Sequence, residues 1–212
     1  PHRPEHPTPG TLSVMSQVVP GQYPGHMDLL SLAAGRRDAG LAALDAEDRA
    51  DLGQFFTPIA VARIMADLPR LPREGVLRVL DPGAGSGVLS AAVVDRARRE
   101  APGLRVEVTA VEVDGRLHGV LSETLSDLES TGARTTLGKD DCVSWALRAE
   151  ERFDLVIQNP PYHKIRSRSL LDHDLRAAGI IVPNIYAGFM ALGSLLIGDG
   201  GQQVSITPRS WM

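Results

Sequence analysis

The sequence predicts an α/β protein with a Rossmann-like, doubly wound and mostly parallel sheet. Three observations support this: short apolar strand-like runs alternate with helical segments, a glycine-rich turn lies between the first strand and the next helix, and 212 residues suit one domain. Strands that alternate with helices form parallel βαβ units, whose crossover helices cover both faces of the sheet.

The first predicted helix of the core begins at Thr57 and Pro58, a hydroxyl N-cap followed by a proline at the first helical position. A buried strand is predicted at residues 76–80, followed by the turn at 81–87 and a helix at 88–99. The later elements continue the alternation: strands at 106–113, 135–137, 153–157 and 204–207, and helices at 116–128 and 186–197.

The chain divides into three predicted parts. Residues 1–26 are rich in Pro, Gly and His and predict a flexible tail. Residues 27–52 predict one or two amphipathic helices, and residues 53–212 the catalytic core.

Composition excludes several classes of protein. Twenty-six acidic and 22 basic residues give a net charge of -4, which excludes a wholly basic nucleic-acid coat but allows a local basic patch. The single cysteine, Cys142, excludes an internal disulfide and a Cys-rich zinc site, and no metal is expected. Without a visible secretory signal, and with Pro183 and Asn184 interrupting the longest uncharged window, a cytoplasmic protein without a membrane span is expected.

Ligands of such sheets bind beyond the carboxyl ends of the strands. Asp81 and the glycine loop (residues 83–87) follow the first strand, where missing β-carbons let backbone amides approach a ligand; a tight turn is the alternative. Glu112 closes the second strand, where its carboxylate is expected to accept ribose hydroxyls, whereas Asp114 fits a helix cap equally well.

Two acidic residues, Asp140 and Asp141, follow the third strand. One of them is placed to accept a hydrogen bond from an adenine amino group, and we favour Asp141. Surface acids before a helix are the alternative interpretation.

The proline loop (residues 159–162) follows the fourth strand and is the most informative segment. Two successive prolines cannot continue a ladder, so the loop is rigid. Asn159 offers a side-chain oxygen, Pro160 a backbone oxygen and Tyr162 an aromatic face, which together suit a planar ring with an amino group. Pro161 stiffens this receptor.

The basic run (residues 163–168) follows directly. Its Lys164, Arg166 and Arg168 are placed to hold DNA phosphates, and a solvated charged loop is the alternative.

Asn159-Pro160-Pro161-Tyr162 together with residues 81–87 resemble the class I S-adenosylmethionine-dependent methyltransferases that act on planar nitrogen. The segment 53–58, Gly-Gln-Phe-Phe-Thr-Pro, resembles the opening motif of the N6-adenine-specific DNA methyltransferases of restriction-modification and phage-defence systems. The resemblance covers residues 52–212.

The resemblance implies roles residue by residue. Thr57 and Asp81 would hold the methionine end of the cofactor, Glu112 the ribose and Asp141 the adenine. The lining of the cofactor site would further comprise Pro82, Gly83, Ala84, Gly85, Cys142 and Asn159. In the family, the acid that corresponds to Asp141 is often followed by a residue with an apolar ring, whereas this chain has Cys142 there. Residues 184–186 resemble the start of the helix beneath the cofactor, for which a simple helix cap is the alternative.

The implied activity is methyl transfer from S-adenosylmethionine to N6 of an adenine flipped out of double-stranded DNA, with Asn159 and Pro160 accepting the amino hydrogens and Tyr162 stacking on the base. The family continues with further strands and a target recognition domain, so the chain is expected to be a fragment and a specificity or endonuclease partner is possible.

Two alternative functions are a methyltransferase for RNA adenine or protein glutamine, and a non-catalytic cofactor-binding module. An NAD oxidoreductase is disfavoured, because no hydride-handling residue is visible beside the glycine loop.

Overall fold

A computed structural model describes residues 28–42, 45–47, 56–162 and 164–208. The predicted tail at 1–26 and residues 53–55 of the opening motif lie outside the described residues. The division of the chain into tail, N-terminal helices and core therefore stays a prediction.

The described chain forms one five-stranded sheet in which every pairing is parallel. Its strands are β1 (Glu74–Pro82), β2 (Gly103–Val111), β3 (Arg134–Gly138), β4 (Phe153–Gln158) and β5 (Ile197–Ser205). Their spatial order is β3-β2-β1-β4-β5, so the chain moves outward from β1 in one direction and then in the other. The predicted doubly wound parallel sheet is confirmed.

Helices cover both faces of this sheet. They are α1 (Leu29–Ala42), α2 (Ile59–Asp67), α3 (Val88–Glu100), α4 (His118–Glu129), α5 (Cys142–Arg148), α6 (Leu170–Ala177) and α7 (Ile185–Leu196). The first four pack into one apolar cluster and the last three into another. Neighbouring residues of a strand point to opposite faces, and β4 shows this: Leu155 and Ile157 join the first cluster and Val156 the second. Burial on both faces explains why residues 155–157 of β4 are all apolar.

Three local predictions differ from the structure. The last strand, predicted at 204–207, runs over Ile197–Ser205 and begins directly after α7, because its glycines and glutamines gave no apolar signal. Helices α5 and α6 were not predicted, being only seven and eight residues long. Thr57 is not the N-cap of α2: Pro58 occupies that position without a side-chain cap, and the Thr57 hydroxyl bonds elsewhere.

None of the helices in the described part of the chain is long and apolar enough to cross a membrane.

Shortening a buried side chain at the centre of the sheet should destabilise the fold. Leu155 on β4 is completely buried, so Leu155→Ala should lower the free energy of unfolding by about 2–5 kcal/mol through lost burial and a residual cavity. Leu170→Ala is the matched control: that side chain is 84% exposed, and its loss should cost less than about 0.5 kcal/mol. Urea titration measures both values. Equal losses would contradict the assignment of Leu155 to the core.

Candidate functional site

The candidate site lies at the carboxyl edge of the sheet, where the strand order reverses. β1 pairs with β2 on one side and with β4 on the other. The segments that follow these three strands surround a cavity of about 480 Å³, within the usual size range of small-molecule sites. Sheets of this type bind ligands at such a switch point.

The cavity brings together many of the predicted site residues. Its wall includes Gly83, Gly85, Glu112, Asp141, Cys142, Asn159 and Pro161. Other predicted residues lie behind or beside this wall: Thr57, Asp81, Pro82, Ala84, Pro160 and Tyr162. The structure therefore gathers sequence-distant segments around one space, although it does not bring every predicted residue to the surface of that space.

The glycine loop presents carbon surface rather than free amides to the cavity. The N–H groups of Gly83 and Ala84 donate to the Val111 carbonyl at 2.8 and 3.0 Å, and that of Gly85 donates to Glu112 Oε2 at 2.8 Å. The Val111 carbonyl and the Glu112 carboxylate therefore already accept these three N–H groups in the ligand-free structure, and the approach of loop amides to a ligand stays a prediction.

Backbone conformation explains why the loop carries glycines. Gly83 and Gly85 have φ of 72° and 59°, in the left-handed region that favours glycine. A β-carbon at Gly83 would lie 3.5 Å from a ring carbon of Phe189, and one at Gly85 would lie 3.4 Å from a ring carbon of Phe56. Both rings belong to the cavity wall, so side chains on the loop would fill space that a ligand needs.

Glu112 organises the cavity as well as lining it. Its Oε2 accepts the Gly85 N–H and its Oε1 accepts the Asp114 N–H, both at 2.8 Å. A carboxylate has about four lone-pair positions, so each oxygen keeps the capacity to accept a hydroxyl. Asp114 is not the N-cap of α4, which is Leu117; it accepts the Arg116 N–H at 2.9 Å and pairs with that side chain.

Asp81 is completely buried beneath the glycine loop. Its Oδ2 accepts the Ser90 hydroxyl at 2.7 Å and the Ser90 N–H at 3.2 Å, whereas its Oδ1 has no hydrogen-bond partner. Burial raises the pKa of this carboxyl from 3.8 to about 7, and the nearby Glu112 charge acts in the same direction. A cation brought close to Oδ1 would stabilise the ionised form.

The third predicted acid, Asp141, has two roles. Its Oδ1 accepts the Ser144 N–H at 3.0 Å and so caps α5, as the alternative interpretation held, and it also lines the cavity. The neighbouring Cys142 is buried in the same wall. Burial, with the charge of Asp141 second, raises the pKa of its thiol, which keeps the side chain neutral.

Asn159 is held by hydrogen bonds on both sides of its amide. Its Nδ2 donates to Thr57 Oγ1 at 3.2 Å, and its Oδ1 accepts the Tyr162 hydroxyl at 2.5 Å. The preceding Gln158 ties β4 to β5, because its Nε2 donates to Ser205 Oγ at 2.9 Å and its carbonyl accepts the Ile206 N–H at 3.1 Å. The proline loop therefore begins from a fixed strand end.

Aromatic and apolar side chains surround the amide. The Tyr162 ring, 37% exposed, lies 6.3 Å from the Tyr186 ring. Asn184 is the N-cap residue of α7, as the helix-cap alternative held, but its side chain makes no capping bond and its Nδ2 instead donates to the Tyr186 hydroxyl. Helix α7 contributes Ile185 and Phe189 to the cavity wall.

Sequence reasoning missed the apolar part of the wall. These residues are Phe56, Val111, Val113, Leu117, Leu171 and Phe189, with Asp114 as a polar member that was weighed only as a cap. Ile185 belongs to the segment 184–186 that the resemblance placed beneath the cofactor. Several of these residues lie where a strand ends or a helix begins, which was the only sign of a role in the cavity wall. Apolar residues at such positions more often pack into the hydrophobic core.

The basic run leaves the proline loop along the protein surface. Lys164 pairs with Asn184 in an isolated bridge, and Lys164, Arg166 and Arg168 are all exposed. Arg168 has φ of 64°, a conformation that costs a non-glycine residue about 1–2 kcal/mol. His163 lies outside the described residues. Exposure agrees both with phosphate binding and with the solvated-loop alternative.

Across the described residues, no group of three or more His, Cys, Asp or Glu side chains is arranged to hold a metal ion.

The raised pKa of Asp81 gives a testable pH dependence. Unfolded Asp81 ionises near 3.8 whereas the folded protein retains the proton to about 7, so between these values the folded state binds more protons and its stability falls as pH rises. Asp81→Asn removes this titration. Urea titrations of the ligand-free protein from about pH 4 to 8 should show a steeper decline in the free energy of unfolding for wild type than for the variant. Parallel curves would contradict the protonated, buried state of Asp81.

Comparison with known proteins finds similarity to methyltransferases of restriction-modification systems. Residues 114–212 match the family model described as Eco57I restriction-modification methylase. The chain is 36% identical over 179 residues to type II methyltransferase M.BsuBI of Bacillus subtilis, covering 78% of this chain and 35% of the relative. It is 30% identical over 188 residues to M.PstI of Providencia stuartii, covering 82% and 36%. The chain thus spans about a third of the length of these relatives.

A shorter match is 34% identical over 93 residues to the tRNA1(Val) (adenine(37)-N6)-methyltransferase of Citrobacter koseri, covering 44% of this chain and 36% of the relative. Among solved structures, one described as a class I S-adenosylmethionine-dependent methyltransferase of Listeria monocytogenes has a TM-score of 0.65 at 17% identity, over 88% of this chain and 56% of that one. The methyltransferase subunit of a type I restriction-modification system from Streptococcus thermophilus has a TM-score of 0.54 at 25% identity, over 71% and 34%.

The predicted dependence on S-adenosylmethionine agrees with this fold class. The chain is therefore a homologue of the type II methyltransferases of restriction-modification systems, built on the class I S-adenosylmethionine-dependent methyltransferase fold.

Proposed function

We propose that this chain forms the catalytic part of a site-specific DNA methyltransferase that modifies N6 of a flipped adenine within a restriction-modification system. The single observation that carries the proposal is the position of Asn159. Asn159 lies in the wall of the cavity that Gly83, Gly85 and Glu112 also line. An acceptor for an amino group thus adjoins a cleft suited to a nucleoside-containing cofactor.

The residues present fit S-adenosylmethionine. The buried, unpartnered Oδ1 of Asp81 suits the cationic methionine end, and the space kept open by Gly83 and Gly85 suits its close approach. Glu112 would accept the ribose hydroxyls and Asp141 the adenine amino group. When bound, this cofactor supplies an electrophilic methyl group.

Asn159 and Pro160 would act on the target amine. The exocyclic nitrogen of adenine is a poor nucleophile because its lone pair is delocalised into the ring. If Asn159 Oδ1 and the Pro160 carbonyl each accept one N6 hydrogen, the nitrogen becomes pyramidal and its lone pair is directed along one line. Fixed dipoles of this kind stabilise developing charge, and losing one costs roughly 100- to 1,000-fold in rate.

Tyr162 contacts the proposed acceptor as well as offering a ring for the flipped base. Its hydroxyl donates to Asn159 Oδ1, the atom that the amine would use. An amide oxygen has two lone-pair positions, so Oδ1 keeps the capacity to accept an N6 hydrogen beside the Tyr162 hydroxyl.

Exposed cations beside the proline loop support DNA as the substrate. Lys164, Arg166 and Arg168 would hold phosphates flanking the flipped adenine. Sequence recognition would come from a target recognition domain or a specificity subunit, and an endonuclease would complete the system. Modification of cellular DNA implies a cytoplasmic location, which forms part of the proposal.

RNA adenine is the second candidate substrate, favoured by the 93-residue match to a tRNA adenine-N6 methyltransferase. DNA is preferred because the restriction-modification relatives match 78% and 82% of the chain. Labelled S-adenosylmethionine offered with unmethylated duplex DNA, total tRNA or protein extract separates the candidates. Label recovered as N6-methyladenosine in tRNA, with none in DNA, would overturn the DNA assignment.

Asn159→Ala should abolish methylation of DNA by at least about 100-fold, because one of the two acceptors is lost. Affinity for S-adenosylhomocysteine, measured by calorimetry, should stay within about threefold of wild type. Gln202→Ala is the control: this amide bonds to the Arg70 backbone, away from the cavity, so its loss should leave the rate unchanged. Full activity of Asn159→Ala would refute the proposed chemistry.

Charge reversal at both Arg166 and Arg168 should weaken DNA binding and flatten its salt dependence, because phosphate contacts release counterions. Fluorescence anisotropy across a salt series measures the slope. Reversal of Arg73 and Arg105, which are exposed near the amino ends of β1 and β2, provides the matched control. Identical slopes for the two double variants would show that the basic run does not bind DNA.

A further inference from the structure

Leu170 is the most exposed large apolar side chain among the described residues, with 84% of its surface open to solvent. It is the first residue of α6, whereas its neighbour Leu171 lines the cavity and packs against the second apolar cluster. A single exposed leucine is ordinary on a protein surface. This one, however, lies one residue from the wall of the candidate active site.

The backbone that presents Leu170 is held in place. Ser169 is the N-cap of α6, and its Oγ accepts the Asp172 N–H at 3.2 Å. The Asp172 carboxylate in turn accepts the Arg168 N–H at 2.9 Å and pairs with Arg176 at 2.7 Å. Contacts of this kind fix the first turn of a helix. Leu170 therefore projects from a fixed helix start and not from a free loop.

The surroundings of Leu170 are those of the proposed DNA-binding surface. The basic run ends two residues before it, and the proline loop directly precedes the basic run. The Ile165 N–H donates to the Pro183 carbonyl at 3.0 Å, which ties the basic run to the segment before α7. Cations for phosphates and an exposed apolar side chain thus follow the proline loop in one short stretch, residues 159–171. DNA bound by the basic run would lie beside Leu170.

A flipped base leaves a gap in the duplex that must be filled. Its neighbours lose their stacking partner, and the base opposite loses its pair. An apolar side chain that enters the gap recovers part of the lost contact and is itself removed from water. The cations of the basic run are suited to phosphates instead. Ile181 is also strongly exposed, at 72%, but its neighbours Ile180 and Val182 pack into the second cluster and do not line the cavity.

We propose that Leu170 is an intercalating residue, whose side chain enters the DNA base stack at the place that the flipped adenine leaves. This inference rests on the proposed function and adds to it a residue that favours the flipped state. Leu170 acts on the duplex and not on the amine or the cofactor, so it is a positioning residue for the reaction.

The test compares two duplexes that contain an adenine methylated by the wild-type protein, located by sequencing of methylated genomic DNA. One duplex is fully paired, and the other has an abasic site opposite the target, which makes flipping easier. Leu170→Ala should lower kcat/KM on the paired duplex about tenfold, because part of a buried leucine contact is lost. On the abasic duplex the same variant should stay within about twofold of wild type. Leu170→Met keeps an apolar side chain of similar size and should retain most of the rate on both.

A second measurement does not depend on methyl transfer. 2-Aminopurine at the target position fluoresces when it leaves the stack, so the paired duplex with S-adenosylhomocysteine and Leu170→Ala should give a smaller increase than with wild type. Leu195→Ala is the matched control: this leucine is 56% exposed and precedes the start of β5, which pairs with the first residue of β4 at the opposite edge of the sheet. It should leave both measurements unchanged.

Three outcomes overturn the intercalating role. The first is a Leu170→Ala rate equal to wild type on the paired duplex. The second is an equal loss on the paired and abasic duplexes, which would indicate a contact with DNA or with another part of the enzyme outside the base stack. The third is a loss confined to the paired duplex in Ile181→Ala and absent in Leu170→Ala.

The two proposals fail separately. If the wild-type protein methylates tRNA and not DNA, the proposed function fails and the intercalating role fails with it. If DNA is methylated and Asn159→Ala is inactive while Leu170→Ala matches wild type on the paired duplex, only the intercalating role is rejected.

Discussion

The parallel pairing of β1 with β4 is the constraint on which the site depends. Val79 pairs with Leu155 and Leu80 with Val156, so the two strands run in register toward the same edge of the sheet. Because each strand ends there, the glycine loop after β1 and the proline loop after β4 reach a common space, although more than 70 residues separate Gly85 from Asn159. The cavity that both loops line therefore depends on that one pairing.

Rigidity at this edge comes from hydrogen bonds between elements. Glu112 links β2 to the glycine loop through the Gly85 N–H, and Gln158 links β4 to β5 through Ser205. Thr57 then links the opening segment to Asn159. Polar side chains held on strand ends are positioned more accurately than those on free loops. The same contacts that stabilise the fold therefore orient the groups proposed to act on the substrate.

Two polar groups near the cavity are satisfied in different ways without a ligand. The Asn159 Oδ1 accepts the Tyr162 hydroxyl. Asp81 is buried with one unpartnered oxygen. Burial raises the pKa of its carboxyl to about 7, because a buried charge is costly, and the protonated form avoids that charge.

The sequence by itself determined the alternating elements, the two loops and the polar residues after each strand, because periodicity and proline or glycine chemistry act locally. The family resemblance followed from the same short segments. Tertiary structure alone decided that the glycine-loop amides bond to β2, that Thr57 contacts Asn159 instead of capping α2, and that Phe56 and Phe189 close the cavity. These are contacts between distant residues, and their partners depend on strand order and register, which no local pattern encodes.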